Sequence, residues 1–242
     1  DNVFAAWIRQ IESPEKESRM NVTNDDLGMM LNAAEIYGSI YKDGKWTTVR
    51  LTENNNPDLS PVVASYGDRA IVAWRSLGAS EMPKNNTTDL STLFNVENTI
   101  RYRIYSGGAW SEAQIAYNGS AGTVNAVDVA MLADGTALIA YTVRTGEDET
   151  TTETFYTAVG TDGGLLTTGR LTNDDTADLN VQIAALDDGF VLGWYAEHIV
   201  SVVDGEPVKA HDIRFAYVNA NGSVGADLFE SAGGDADASF TS

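Results

Sequence analysis

Cysteine is absent from the 242 residues, and there are only two histidines. That excludes disulfides, iron–sulfur clusters, thiolate zinc and histidine-rich metal sites. Proline is scarce, at 5, and no apolar run nears the ~18 residues that cross a bilayer as a helix, so membrane insertion is not expected. Positive charge is short as well: 15 Lys and Arg face 35 Asp and Glu, for a net charge of −20. Phosphate backbones would be repelled, so nucleic acid is not an expected partner. No initiating Met and no leader-like segment opens the sequence, which reads as a mature product or a fragment. Cysteine-free, acidic, Asn/Thr/Gly-rich composition suits a secreted or cell-surface protein of bacterial type.

Hydrophobic residues make up 43%, enough for a core, and glycine, at 22, is plentiful enough to punctuate many short strands. One phrase recurs. Gly67-Asp68-Arg69-Ala70-Ile71-Val72-Ala73-Trp74 is a turn leading into an apolar strand that ends on an aromatic ring. It returns around Tyr141 and Trp194, and its second half opens the chain at Val3–Trp7. Before three of these strands lies another apolar stretch, 59–64, 126–131 and 179–184, headed by Asp58, Asn125 and Asp178. After each comes a third strand of alternating pattern, 36–41, 100–105, 155–159 and 213–218. Glycine turns then lead to a fourth, 46–51, 110–115, 165–171 and 224–228.

Repeated four-stranded antiparallel meanders predict an all-β fold, a β-propeller of about four blades, with no long helix outside the insertions. A string of β-sandwiches is disfavoured, because four strands per repeat cannot close one. The repeats run about 1–56, 57–123, 124–176 and 177–234 in a single domain. Residues 235–242 begin or complete a blade: 236–242 align with 57–63 and would pair with Val3–Trp7 if the ring closes on its own ends. The alternative is a larger propeller of which this chain is part.

Tyr41-Lys42-Asp43-Gly44-Lys45-Trp46 and Tyr105-Ser106-Gly107-Gly108-Ala109-Trp110 resemble degenerate Asp-box turns, which mark the blades of sialidase-like propellers. The Ser and Thr of that pattern are lacking, and repeats three and four have Leu165 and Val224 in place of the Trp. The resemblance implies the propeller fold. It implies a sialidase-like glycoside hydrolase only if an arginine cluster binds an acidic sugar.

Four groups of residues could carry function. The recurring Trp7, Trp74, Tyr141 and Trp194 read as packing between blades. Asp58, Asn125, Asp178 and Asp237 head the first strands after oxygen-rich loops, and read as acceptors for their own loops' backbone N–H groups. They could instead hold a structural calcium; no other cofactor is expected. Arg9, Arg75 and Arg144 follow the aromatics, and planar guanidinium forks suit a carboxylate ligand. Glu197, His198 and His211 follow Trp194 and offer acid–base or hydrogen-bonding chemistry, but no nucleophile motif accompanies them. The expectation is therefore a non-catalytic module that binds a glycan or a surface protein. Its binding face would carry the long segments 9–34 and 77–98, Glu147-Asp148-Glu149 and the Asn/Asp loops.

Overall fold

A computed structural model describes residues 2–11, 23–78, 97–121, 124–146, 151–225 and 229–230. The strands form four antiparallel sheets in two compact units, Asp1–Thr123 and Val124–Ser242. The division falls at the repeat boundary read from the sequence. The described residues are all-β apart from one helix, and the sheets are blades of the β-propeller kind.

In the first unit, sheet one contains β1 (Val3–Gln10), β2 (Ala34–Lys42) and β3 (Lys45–Arg50), in that order. The helix α1 (Asn24–Asn32) precedes β2. Sheet two contains β4 (Asp58–Tyr66), β5 (Arg69–Leu77), β6 (Glu97–Ser106) and β7 (Ala109–Trp110), with β8 (Gln114–Ala121) also paired to β6. In the second unit, sheet three contains β9 (Val124–Met131), β10 (Ala137–Arg144), β11 (Thr152–Val159) and β12 (Leu165–Arg170). Sheet four contains β13 (Ala177–Ala185), β14 (Gly189–Val203), β15 (Glu206–Asn219) and β16 (Phe229–Glu230).

The turn chemistry explains the meanders. At Asp43-Gly44 both residues have positive φ, 51° and 77°, the conformation a two-residue hairpin needs and glycine adopts without strain. Not every expected strand is seen, and two run differently. Sheet one has three strands among the described residues, and 236–242 lie outside them, so the proposed pairing with Val3–Trp7 goes unseen. The fourth strand of repeat two is split: Ser111 to Ala113 interrupt it, and β8 resumes beyond. In repeat four, Val224 makes only an isolated bridge to Val218. The helix lies in the first insertion. Thr23 caps it, with the Asp26 carboxylate accepting from the Thr23 N–H at 2.9 Å and the Thr23 hydroxyl accepting from the Asp26 N–H at 3.2 Å. Thr23→Ala should cost about 1 kcal/mol locally, read as faster hydrogen exchange at the Leu27 amide, which bonds the Thr23 carbonyl.

Strand alternation places the core between sheets within each unit. In the first unit, Val72 and Trp74 of sheet two bury against Ile36 of sheet one and Leu51, which follows β3. In the second, Phe190, Leu192 and Trp194 of sheet four bury against Leu138, Ala140, Tyr156 and Ala158 of sheet three. Trp74 and Trp194 are thus core residues, as their recurrence implies, and Tyr141 is buried as well, on the face of β10 opposite Leu138 and Ala140. Trp7 is not: it is 37% exposed and stacks on Tyr37, because its face of sheet one has no sheet against it among the described residues.

Candidate functional site

The fourth sheet departs most from the repeat. The segment after Trp194, expected as a loop, continues both central strands into a two-stranded ribbon that ends in the turn Asp204-Gly205. Ile199, Val200, Val202 and Val203 are β-branched and favour extended backbone, and Asp204 and Gly205 have the positive φ of a tight turn, 54° and 88°. These residues carried the signal for the ribbon. Its register sets Glu197 opposite His211 and Ile199 opposite Lys209.

Alternation then decides which side chains meet. On one face the Glu197 carboxylate accepts from Lys209 Nζ at 2.7 Å and lies 3.0 Å from His211 Nε2. The His211 ring meets Tyr195 edge-on, with centroids 5.9 Å apart. Burial alone would raise the Glu197 carboxyl. Lys209 and His211 outweigh it through hydrogen bonds and charge, holding the carboxyl below the usual range. His198 leaves the other face and pairs with Asp212 at 3.5 Å. Of the group Glu197, His198 and His211, the structure therefore brings Glu197 and His211 together and sets His198 on the opposite side of the ribbon. Glu197 also stands opposite Ala177, where the loop Thr172–Asp178 enters β13, so the ribbon base and one Asn/Asp loop share an end of the sheet.

The arginines do not converge in the same way. Arg9 shares a face of β1 with Trp7 and lies over the Tyr37 ring at 5.5 Å. Arg75 and Arg144 leave the faces opposite their aromatics, because their offsets from Trp74 and Tyr141 are odd. Arg9 and Arg75 belong to the first unit and Arg144 to the second. Arg75 is half-buried; its Nη2 donates to Asn98 Oδ1 at 3.3 Å, and burial lowers its pKa.

Asp58 and Asp178 are fully buried. Asp58 accepts from Trp74 Nε1 at 3.0 Å and from Asn54 Nδ2 at 2.9 Å. Asp178 accepts from the hydroxyls of Thr172 and Thr154, the latter at 3.0 Å. The donors are chiefly side chains, which corrects the expected capture of the loop's own N–H groups. Asn125 is exposed beside a bulge and is not the structural counterpart of these two carboxylates. Asp237 and Glu147-Asp148-Glu149 lie outside the described residues, as do 12–22 and 79–96 of the long segments. Among the described residues, no three Asp, Glu or His side chains gather as a metal-binding group.

Sequence reasoning missed a device shared by two sheets. Arg50-Leu51-Thr52 and Arg170-Leu171-Thr172 each precede one of these aspartates. Each arginine donates Nε to the carbonyl of its Thr, at 2.7 and 2.6 Å, and pairs at 2.9 Å with a buried glutamate, Glu35 or Glu153. The repeated tripeptide was the available signal. The device is structural and fixes the entry of each Asn/Asp loop.

No family model matches the chain, and no curated protein matches it. Solved structures do. The polysaccharide lyase Uly1 matches with TM-score 0.50 and 11% identity, over 94% of this chain and 57% of that one. The GH93 α-L-arabinofuranosidase of Fusarium graminearum, in complex with arabinobiose, gives 0.46 and 11%, over 75% and 54%. Trypanosoma rangeli sialidase gives 0.48 and 10%, over 95% and 36%. At such identities the likeness is one of fold. The chain spans about half the length of the first structures it matches. No helix among the described residues is long and apolar enough to cross a membrane.

Proposed function

We propose that the chain is a non-catalytic glycan-binding module acting outside the cell, with its ligand held at the base of the β14–β15 ribbon. The observation that carries this reading is the Glu197 carboxylate fixed between Lys209 and His211 beside the Tyr195 ring. An ionised, oriented carboxylate accepts hydrogen bonds from sugar hydroxyls, the flanking Lys209 ammonium donates to ring and hydroxyl oxygens, and an aromatic ring receives the apolar face of a pyranose. A group held ionised cannot serve as the proton donor that glycoside cleavage requires. Asp212, the neighbouring carboxylate, projects from the opposite face. The fold neighbour Uly1 is a polysaccharide lyase, which agrees with the ligand class.

A glycan array read with the intact chain, Glu197→Gln and Tyr195→Ala tests it. Each variant should weaken binding about tenfold or more, the effect of losing one charge-assisted hydrogen bond or one stacked ring. Full binding by both variants would remove the ligand from the ribbon base, and binding only to proteins on a cell-surface panel would replace the glycan. One observation favours the alternative hydrolase: Arg75 is half-buried with only an amide oxygen as its hydrogen-bond acceptor among the described residues, and so could take an acidic sugar. Turnover of a fluorogenic sialoside, lost in Arg75→Ala, would select that reading.

A further inference from the structure

The loop that enters β13 repeats the loop that enters β4, but its hydrogen bonds run differently. In the first unit Thr52 Oγ1 accepts the Ile36 N–H at 2.9 Å and gives its own proton to Glu35 Oε2. Arg50 and the Asn54 N–H serve Glu35 Oε1 at 2.9 and 3.1 Å. Asp58 has the Trp74 indole on one oxygen and the Asn54 amide on the other. Both buried carboxylates are therefore served on both oxygens.

In the second unit Thr172 Oγ1 accepts the Thr154 N–H at 2.9 Å, as Thr52 accepts that of Ile36, but its proton goes to Asp178 Oδ2. The Thr154 N–H and hydroxyl reach the same oxygen at 3.1 and 3.0 Å. Asp174 stands where Asn54 does and brings a carboxylate in place of an amide donor. The Trp194 indole, unlike that of Trp74, makes no bond to the aspartate. Asp178 Oδ1 and Glu153 Oε2 are left buried with no hydrogen-bond partner among the described residues. A hydroxyl has one proton to give, so Thr172 cannot serve both carboxylates at once.

We propose that Asp178, Thr172 and Glu153 form an acid-responsive hydrogen-bond relay at the joint between sheets three and four. When Asp178 takes up a proton from solvent, it donates that proton to Thr172 Oγ1 as a hydrogen bond, and the Thr172 hydroxyl turns to Glu153 Oε2. Thr172 then accepts from Asp178 and from the Thr154 N–H and donates once, which uses the whole capacity of a hydroxyl. Glu153 gains the arrangement that Glu35 has permanently, and the Thr52–Glu35 bond shows that a threonine at this position reaches its glutamate. The extra proton belongs on Asp178. Glu153 and Asp174, whose charges weigh on it, each have an arginine, Arg170 at 2.9 Å and Arg214 at 2.6 Å, whereas the donors to Asp178 are hydroxyls and one amide. The other charged groups on the facing sides are Asp128 of β9, held by the Ile183 and Val129 N–H groups, Arg144 of β10, level with Thr152, and His198 and Asp212 of β14 and β15, 3.5 Å apart. Burial raises the Asp178 carboxyl to about 6, so the relay turns just below neutrality. Ala177, which precedes Asp178, stands opposite Glu197, so the switching joint underlies the ribbon base.

Deuterium isotope shifts on carboxyl carbons, recorded on the intact chain at about pH 4 and about pH 7, show which oxygen the Thr172 hydroxyl serves. Glu153 Cδ should gain an isotope shift in acid, beyond the one Arg170 gives it, with the midpoint at which Asp178 Cγ titrates. Thr172→Val should abolish the gain, and Thr172→Ser should keep it. A Glu153 carbon that gains nothing in acid overturns the relay in the parent chain, whatever the variants do. A gain that survives in folded Thr172→Val also overturns it, since the carbon would then be sensing the Asp178 charge through space.

Discussion

Trp74→Ala should destabilise the first unit by about 3–5 kcal/mol, among the largest effects of any single truncation in the chain. The side chain is fully buried against Ile36, Leu51 and Val72, so removing it leaves a ring-sized hole at the meeting of two sheets. It also takes away the indole N–H that serves the buried Asp58 carboxylate at 3.0 Å. The two contributions can be separated. Trp74→Phe retains most of the apolar surface but leaves Asp58 short of a donor, at a further cost of about 1–3 kcal/mol. Trp194→Phe should cost less, because the Trp194 indole nitrogen has no hydrogen-bond partner to lose among the described residues. Denaturant melts of the two Trp→Phe variants decide the point; equal losses would mean that the indole–carboxylate bond contributes nothing.

Asp178→Asn should change how stability depends on pH. Burial raises the Asp178 carboxyl from 3.8 to about 6, opposed by hydrogen bonds from Thr172 and Thr154 and assisted by the charges of Asp174 and Glu153. The folded pKa thus lies above the unfolded one, and folding favours the protonated acid. Its stabilisation is fully present below about pH 4 and is lost as pH rises through about 6. Two pKa units correspond to about 3 kcal/mol at most. The parent chain should therefore lose stability between pH 4 and pH 7 through this group. Asp178→Asn should flatten that segment of the profile and melt higher than the parent at neutral pH. A parent profile that rises steadily from pH 4 to pH 7, with no difference in the variant, would contradict this. Burial raises Asp58 in the same direction, so the first unit should follow the same trend.

The repeat was legible because its signals are local. Turn pairs such as Asp43-Gly44 and period-2 apolar runs state a hairpin within a few residues, and a recurring aromatic aligns one hairpin with the next. What depended on register was not legible. Asn125 occupies the same place in the linear alignment as Asp58 and Asp178, yet a bulge opposite Thr142 and Val143 turns it outward. Glu197 and His211 meet only because the ribbon between them stays paired, and the long segment after Trp194 read as a loop. Its valines and the Asp204-Gly205 turn were present, but an insertion in a repeat invites the reading of a loop first. Trp7 shows a different limit. Recurrence announces a packing residue, but says nothing about whether the neighbouring sheet belongs to the same set of residues.

The ribbon also bears on the order in which the fourth sheet assembles. β14 and β15 are joined by two residues, so their pairing closes a minimal loop and can zip upward from Asp204-Gly205 without waiting for distant partners. β13 must still find its place along β14 through a bulge, and β16 joins by only two pairs. The hairpin therefore forms as a local template, and the Glu197–His211 pair is in place before the sheet around it is complete. Amides along the ribbon's inner ladder should gain protection earlier in refolding than those of β13, and Glu197, Lys209 and His211 inherit the geometry of the fastest-closing element rather than of the finished blade.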